Sequence, residues 1–140
     1  MERINFENNV TKASAETFNE LQDNIEEAIN GTILYNNTNG TTSAFTLNDS
    51  IENYDYIEIY YHSNDASGAE SSVKITGGSV KIINLLYLWY VSGTIYFKQS
   101  NLAINGINAT FVNNIQWTNA DGSLTSGDYI FVTKVIGYKQ

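Results

Sequence analysis

The stretch that decides the fold is INATFVNNIQW, residues 107–117, in which apolar and polar side chains alternate. Such alternation predicts a β-strand with one face on a core and the other in solvent. The residues predicted to face inward are Ile107, Ala109, Phe111, Ile115 and Trp117. Those predicted to face outward are Asn108, Thr110, Asn114 and Gln116.

The same two-residue period runs from Thr32 to a closing strand at Tyr129–Lys139. Glycine-containing pairs divide it and predict tight hairpins at Asn39-Gly40, Gly77-Gly78, Ser92-Gly93 and Asn105-Gly106. The predicted fold class is mainly β, with a short N-terminal helix followed by an antiparallel, jelly-roll-like β-sandwich. We expect residues 1–31 to form a lead-in and an oligomerising helix, and residues 32–140 to form the sandwich head domain.

One stretch has a helical period instead: SAETFNELQDNIEEAING, residues 14–31. Its apolar residues recur at spacings of three and four and form a narrow stripe. Ser14 is predicted to cap the helix and Gly31 to end it in a left-handed conformation. Two alternatives follow for the stripe: it packs on the chain's own sheets, or copies of the helix associate around an axis.

The segment VKIINLLYLWYV, residues 80–91, is apolar on both faces of a strand. A strand in an antiparallel sheet usually has one wet face, so this one needs cover from two sides. One cover is the core, and we expect the other to be a neighbouring subunit. Together with the helix, this strand favours an oligomer. The predicted interface residues are Phe18, Leu21, Ile25, Ala28, Tyr87 and Trp89.

Composition excludes several classes of protein. The formal net charge is -8 and the seven Lys and Arg residues are scattered, so nucleic-acid binding is not expected. The absence of Cys excludes disulfides and thiolate metal sites. No apolar run approaches the length of a membrane span, so no membrane insertion is expected. The polar start MERINFENN is unlike a signal peptide, and we expect synthesis in a cytoplasm.

Residues with catalytic chemistry are sparse. His62 is the only His, which excludes a triad or a multi-His metal site within one chain, and we expect no enzyme activity, metal or cofactor. Aromatic rings beside Asn and Asp side chains suit sugars, because sugar rings stack on aromatic faces and hydroxyls need planar polar partners. Two candidate ligand-binding clusters follow: Tyr60, His62 and Asp65 in one, and Trp117, Asn119 and Asp121 in the other.

Several segments are also familiar: INFEN, ETFNELQDNIEEAING, TILYNNTNGTT with FTLNDS, NYDYIEIYYHSND and YIFVTKVIGYK. Together they resemble tail-fibre or receptor-binding proteins of phages and prophages of Gram-positive bacteria. The resemblance implies a homotrimer with a helical neck and a β-sandwich head that carries the host-binding surface. It carries over no fixed set of binding residues.

The expected function is therefore non-enzymatic attachment of a virion to a glycan on the bacterial surface. The expected location is the virion, in a tail or head fibre made in the host cytoplasm, with other virion proteins as partners. One alternative is a structural virion protein that decorates or joins without recognising the host. A third is a glycan depolymerase. Because the net charge is -8 per chain, we expect the receptor to be a neutral saccharide, or an anionic one reached through a bound cation.

Overall fold

The computed structural model describes residues 15–65 and 69–139, without the side chains of Glu27 and Ala28. Over these residues the chain forms one α-helix, α1 (Ala15–Asn30), a 3-10 turn at Ile51–Asn53, and nine strands. The strands are β1 (Thr32–Thr41), β2 (Phe45–Thr46), β3 (Tyr56–Ser63), β4 (Ser71–Thr76), β5 (Val80–Val91), β6 (Thr94–Asn105), β7 (Asn108–Thr118), β8 (Leu124–Ser126) and β9 (Ile130–Tyr138).

The strands form two antiparallel sheets. Sheet A has the strand order β1-β9-β3-β4, and sheet B has the order β2-β7-β6-β5 with β8 also beside β7. The prediction of antiparallel β structure behind one helix is confirmed. The predicted turns at Ser92-Gly93 and Asn105-Gly106 are confirmed as well, since they join β5 to β6 and β6 to β7. Ser92 and Gly93 both have positive φ, as tight two-residue turns between antiparallel strands commonly require.

Two of the predicted hairpins are wrong because their strands belong to different sheets. β1 continues through Asn39-Gly40 to Thr41 and pairs with β9 in sheet A, whereas β2 pairs with β7 in sheet B. Likewise, Gly77-Gly78 carries the chain from β4 of sheet A to β5 of sheet B. Gly77 donates its N–H to Asp55 O, and a side chain at Gly77 would collide with the backbone of Tyr54. Close packing against the Tyr54 backbone therefore explains why residue 77 is a glycine.

A β-bulge in β7 reverses the direction in which the later side chains of this strand face. Val112 is an extra residue between the pairs that β7 makes with β6, and it is 63% exposed. Before the bulge, Phe111 packs on the core as predicted. Beyond it, Asn114 faces inward: its side chain accepts from Ile130 N–H and donates to Ile130 O, both at 3.0 Å. The residues whose predicted direction is wrong are Ile107, Asn114, Ile115, Gln116 and Trp117.

One hydrophobic core lies between the two sheets. On β3, the alternate residues Ile57, Ile59 and Tyr61 are buried and form the inner face of that strand. The Tyr61 hydroxyl also crosses between the sheets, donating to Leu86 O at 2.8 Å and accepting from Leu86 N–H at 3.3 Å. The remaining buried apolar residues of this core are Leu34, Leu47, Ile51, Tyr54, Ile83, Leu85, Leu102, Ile104, Ala109, Ile130, Val132 and Val135.

The helix α1 contacts β9 but leaves much of its apolar stripe in solvent. Phe18 is 57% and Ile25 39% exposed, whereas Leu21 is half-buried. The alternative in which the chain's own sheets cover the stripe is therefore wrong for Phe18 and Ile25. Gly31 has a φ of +73°, which confirms the predicted stop. The predicted cap at Ser14, the lead-in 1–13 and the side chain of Ala28 lie outside the described residues.

Candidate functional site

The outer face of sheet A carries a cluster of tyrosines and lysines that strand pairing brings together. Tyr56, Glu58 and Tyr60 alternate with the buried residues of β3 and therefore share this outer face. Pairing with β4 places Lys74 opposite Glu58, and pairing with β9 places Lys134 opposite Tyr60. We call this cluster the tyrosine–lysine surface; its members are Tyr56, Glu58, Tyr60, Lys74, Lys134 and Tyr138.

The carboxylate of Glu58 fixes the tyrosine rings. Its Oε1 accepts from the Tyr60 hydroxyl at 2.7 Å and from the Tyr138 hydroxyl at 2.9 Å. Its Oε2 accepts from the Ser72 hydroxyl at 3.4 Å. These hydrogen bonds, the one from Tyr60 above all, hold the pKa of Glu58 below its ordinary value. The same bond, with partial burial, raises the pKa of Tyr60 to about 12, so its hydroxyl keeps its proton.

The two lysines of the surface lie over tyrosine rings. Lys74 Nζ is 4.6 Å from the ring centroid of Tyr138 and 5.3 Å from that of Tyr56. Lys134 Nζ is 5.2 Å from the ring centroid of Tyr60. Within the described residues, neither ammonium group has a hydrogen-bond or ion-pair partner. The rings hold each charge by cation–π attraction and leave its N–H donors available.

This arrangement suits a ligand with a flat apolar face and polar edges. Rings held in one orientation cost little further entropy when something stacks on them. The lysine ammonium groups can donate to ligand oxygens, and the tyrosine oxygens can still accept. In the sequence, the alternation of Tyr56, Glu58 and Tyr60 was visible, but the lysines come from β4 and β9. Only the strand register brings them beside β3.

The structure separates the first predicted cluster. Tyr60 and His62 share the outer face of β3, where Tyr60 belongs to the tyrosine–lysine surface. The His62 ring stacks on Phe131 with centroids 5.3 Å apart, and its Nδ1 lies 2.8 Å from the carbonyl oxygen of Ser63. Asp65 instead pairs with the buried Lys98 at 2.6 Å. The three predicted residues therefore do not form one cluster.

Of the second predicted cluster, Trp117 lies in β7, whereas Asn119 and Asp121 lie in the turn that follows it. Trp117 is 37% exposed on the outer face of sheet B. The Asn119 side chain accepts from the Ile95 N–H at 2.8 Å, which ties the turn to β6. Asp121 accepts from the hydroxyl and N–H of Ser123, and these bonds lower the pKa of Asp121. Asn119 and Asp121 thus shape a turn.

Lys98 is the most unusual residue of the interior. It is 1% exposed, and its ammonium group donates to Asn64 and Asp65, which directly follow β3. The rings of Tyr87 and Trp89 lie beside it, with centroids 5.9 and 5.7 Å from Nζ. Tyr87 and Trp89 are therefore half-buried on the inner face of sheet B. Their contact with a second copy stays a prediction.

The exposed apolar side chains of β5 lie on the opposite face from Tyr87 and Trp89. Leu88 is 67% exposed, and strand pairing places it in one row with Phe97, Trp117 and Leu124 across sheet B. A contiguous apolar patch of this kind is typical of an interaction surface. We call it the apolar sheet surface; its members are Val80, Ile82, Leu86, Leu88, Tyr90, Phe97, Ile115, Trp117 and Leu124.

Residues 15–65 and 69–139 contain neither a cluster of metal-binding side chains nor a helix of membrane-spanning length and apolarity. No group of three or more His, Asp or Glu side chains in these ranges is placed to hold a metal ion. In the same part of the chain, no helix is long and apolar enough to cross a membrane.

No protein-family model matches the chain, and no curated protein matches it significantly.

Proposed function

We propose that this protein is a homotrimeric fibre protein of a bacteriophage virion, which attaches without catalysis to a saccharide on the bacterial surface. In this proposal the helix forms a neck and the two sheets form a jelly-roll-like head. The resemblance of the sequence to receptor-binding proteins supports the virion assignment. The tyrosine–lysine surface supplies the saccharide-binding site.

The observation that carries the proposal is the exposed heptad stripe of α1. Phe18 and Ile25 are seven residues apart on one face of the helix, and the sheets of their own chain leave both in solvent. A short helix with an uncovered apolar stripe gains stability when copies pack together. The apolar sheet surface adds a second uncovered area that a neighbouring head can bury.

The first test is the mass of the assembly in solution. Sedimentation equilibrium at micromolar concentration should give three times the protomer mass of 15.6 kDa. Ile25→Asp would place three carboxylates in an apolar seam, at a cost of several kcal/mol (roughly 3 or more) per assembly, and should dissociate the trimer. Asn19→Asp adds the same charge on the polar face of α1 and should leave the mass unchanged.

A parallel pair of variants examines the head. Leu88→Asp places a charge in the apolar sheet surface, whereas Thr38→Asp places the same charge on an exposed residue of β1, in the other sheet. We expect the first to weaken the trimer and the second to have little effect. A monomer or dimer mass for the wild type, or an unchanged trimer in both Ile25→Asp and Leu88→Asp, would contradict the assembly.

Attachment is measured with the same proteins on Gram-positive cell walls, before and after removal of wall polysaccharide. Each site is shallow and is expected to bind weakly alone. Three linked copies should therefore bind about a hundredfold more strongly than one copy. We expect the trimer to bind intact walls and the Ile25→Asp monomer to bind weakly. Equal binding to stripped walls would contradict saccharide recognition.

A further inference from the structure

The positive charge of this acidic protein is distributed unevenly. The formal net charge is -8, and the described residues contain five lysines. Lys98 is buried in an ion pair, Lys81 donates to a hydroxyl of β4, and Lys139 follows the end of β9. The remaining two, Lys74 and Lys134, both lie on the outer face of sheet A.

The anionic groups near these two lysines are already engaged. Both oxygens of Glu58 accept hydrogen bonds, from Tyr60 and Tyr138 on one side and from Ser72 on the other. Glu70 accepts from the Thr133 hydroxyl at 2.8 Å. The lysine ammonium groups, in contrast, contact only ring faces among the described residues. Lys74 also interacts with the charge of Glu58, but the N–H donors of both lysines are not used by the described residues and are available to a ligand.

We propose that the tyrosine–lysine surface binds a saccharide that carries an acidic substituent, phosphate or carboxylate. The sugar ring packs on the faces of the tyrosine rings that the lysines leave uncovered, and the substituent accepts hydrogen bonds from Lys74 and Lys134. This inference rests on the proposed attachment function and names the chemistry of its ligand. It also replaces the expectation, based on net charge alone, of a neutral receptor or a cation bridge. Local charge decides contact within a Debye length, and net charge acts mainly beyond it.

The test is a printed array of bacterial glycans that includes neutral, phosphate-bearing and uronate-bearing saccharides. The wild type should bind members of the two acidic groups and not their neutral counterparts. The double variant Lys74→Gln/Lys134→Gln should lose about tenfold or more in affinity, since charge-assisted hydrogen bonds are the strong ones. Lys81→Gln and Asn19→Lys serve as controls for net charge, in opposite directions, and should leave binding within about twofold.

Each outcome bears on the proposal. Binding confined to neutral glycans, or equal binding by the double lysine variant and the wild type, would overturn the acidic-ligand inference and leave the attachment function standing. Binding to inorganic phosphate as strong as to the phosphate-bearing glycans would overturn the stacking role of the tyrosines. An array without any bound glycan would overturn the inference, and failure to bind intact walls as well would overturn the attachment function itself.

Discussion

Replacement of Lys98 tests how the end of the two-sheet core is held together. Lys98 is 1% exposed, and its ammonium group joins β6 of sheet B to Asn64 and Asp65 after β3 of sheet A. Lys98→Met keeps most of the side-chain volume, so little cavity forms beside Tyr87 and Trp89. What is lost is the charge that compensates Asp65, whose side chain is 15% exposed.

Breaking one partner of a buried ion pair costs about 3–5 kcal/mol. Asp65 keeps its bond to the Ser63 hydroxyl at 3.0 Å and some contact with water, which argues for the lower end. We therefore expect Lys98→Met to lower the free energy of unfolding by about 3 kcal/mol. For a chain of this size that corresponds to roughly 10 °C in melting temperature.

The assay is chemical unfolding followed by tryptophan fluorescence, at one protomer concentration because assembly affects apparent stability. Lys134→Met is the matched control: it removes the same charge from the surface and should change stability by less than about 0.5 kcal/mol. The double variant Lys98→Met/Asp65→Asn leaves no uncompensated charge and should be more stable than either single variant. If Lys98→Met is no less stable than Lys134→Met, the ion pair does not join the sheets as argued.

Two further predictions concern single hydroxyl and carboxyl groups. Tyr61→Phe removes the hydroxyl that binds both backbone groups of Leu86 on the edge strand β5, and should cost about 1–3 kcal/mol in urea unfolding; an unchanged midpoint would contradict this. Because the folded pKa of Glu58 lies below its ordinary value, its contribution to stability is present above about pH 4.5 and is lost as the pH falls through the folded value. Unfolding midpoints at about pH 7 and about pH 3 should therefore differ more for the wild type than for Glu58→Gln, and equal differences would show that Glu58 contributes nothing.

The two-residue period of the sequence predicted the strands of this fold better than it predicted which strands pair with each other. The inner face of β3 at Ile57, Ile59 and Tyr61 follows from alternation alone, because side-chain direction in a strand has a period of two. The same rule fails in β7 beyond Val112, since one extra residue shifts every later side chain to the other face. No local signal marks Val112 as a bulge. The shift that the bulge introduces lets Asn114 bind the backbone of Ile130 in sheet A.

The candidate site was predicted only in part for a related reason. Tyr60 was identified from its neighbourhood in the sequence, but His62 and Asp65 were grouped with it because they follow closely in the chain. Asp65 lies beyond the end of β3 and pairs with Lys98, whereas alternation within β3 leaves Tyr60 on the outer face. The actual neighbours of Tyr60 are Glu58, two residues away, and Lys134 from β9. The contact with Lys134 depends on the register between β3 and β9, which a single sequence does not specify.

The positions of the two surfaces make assembly and recognition compatible. The apolar sheet surface lies on the outer face of sheet B, and the tyrosine–lysine surface lies on the outer face of sheet A. Because one core separates these faces, burial of Leu88 and Trp117 against neighbouring heads leaves Tyr60 and Lys74 in solvent in every copy. In the proposed assembly, a trimer built on sheet B would present three outward sites, with the tyrosine rings of each site held by Glu58. Weak single contacts are then sufficient, since linked sites bind with a high effective concentration.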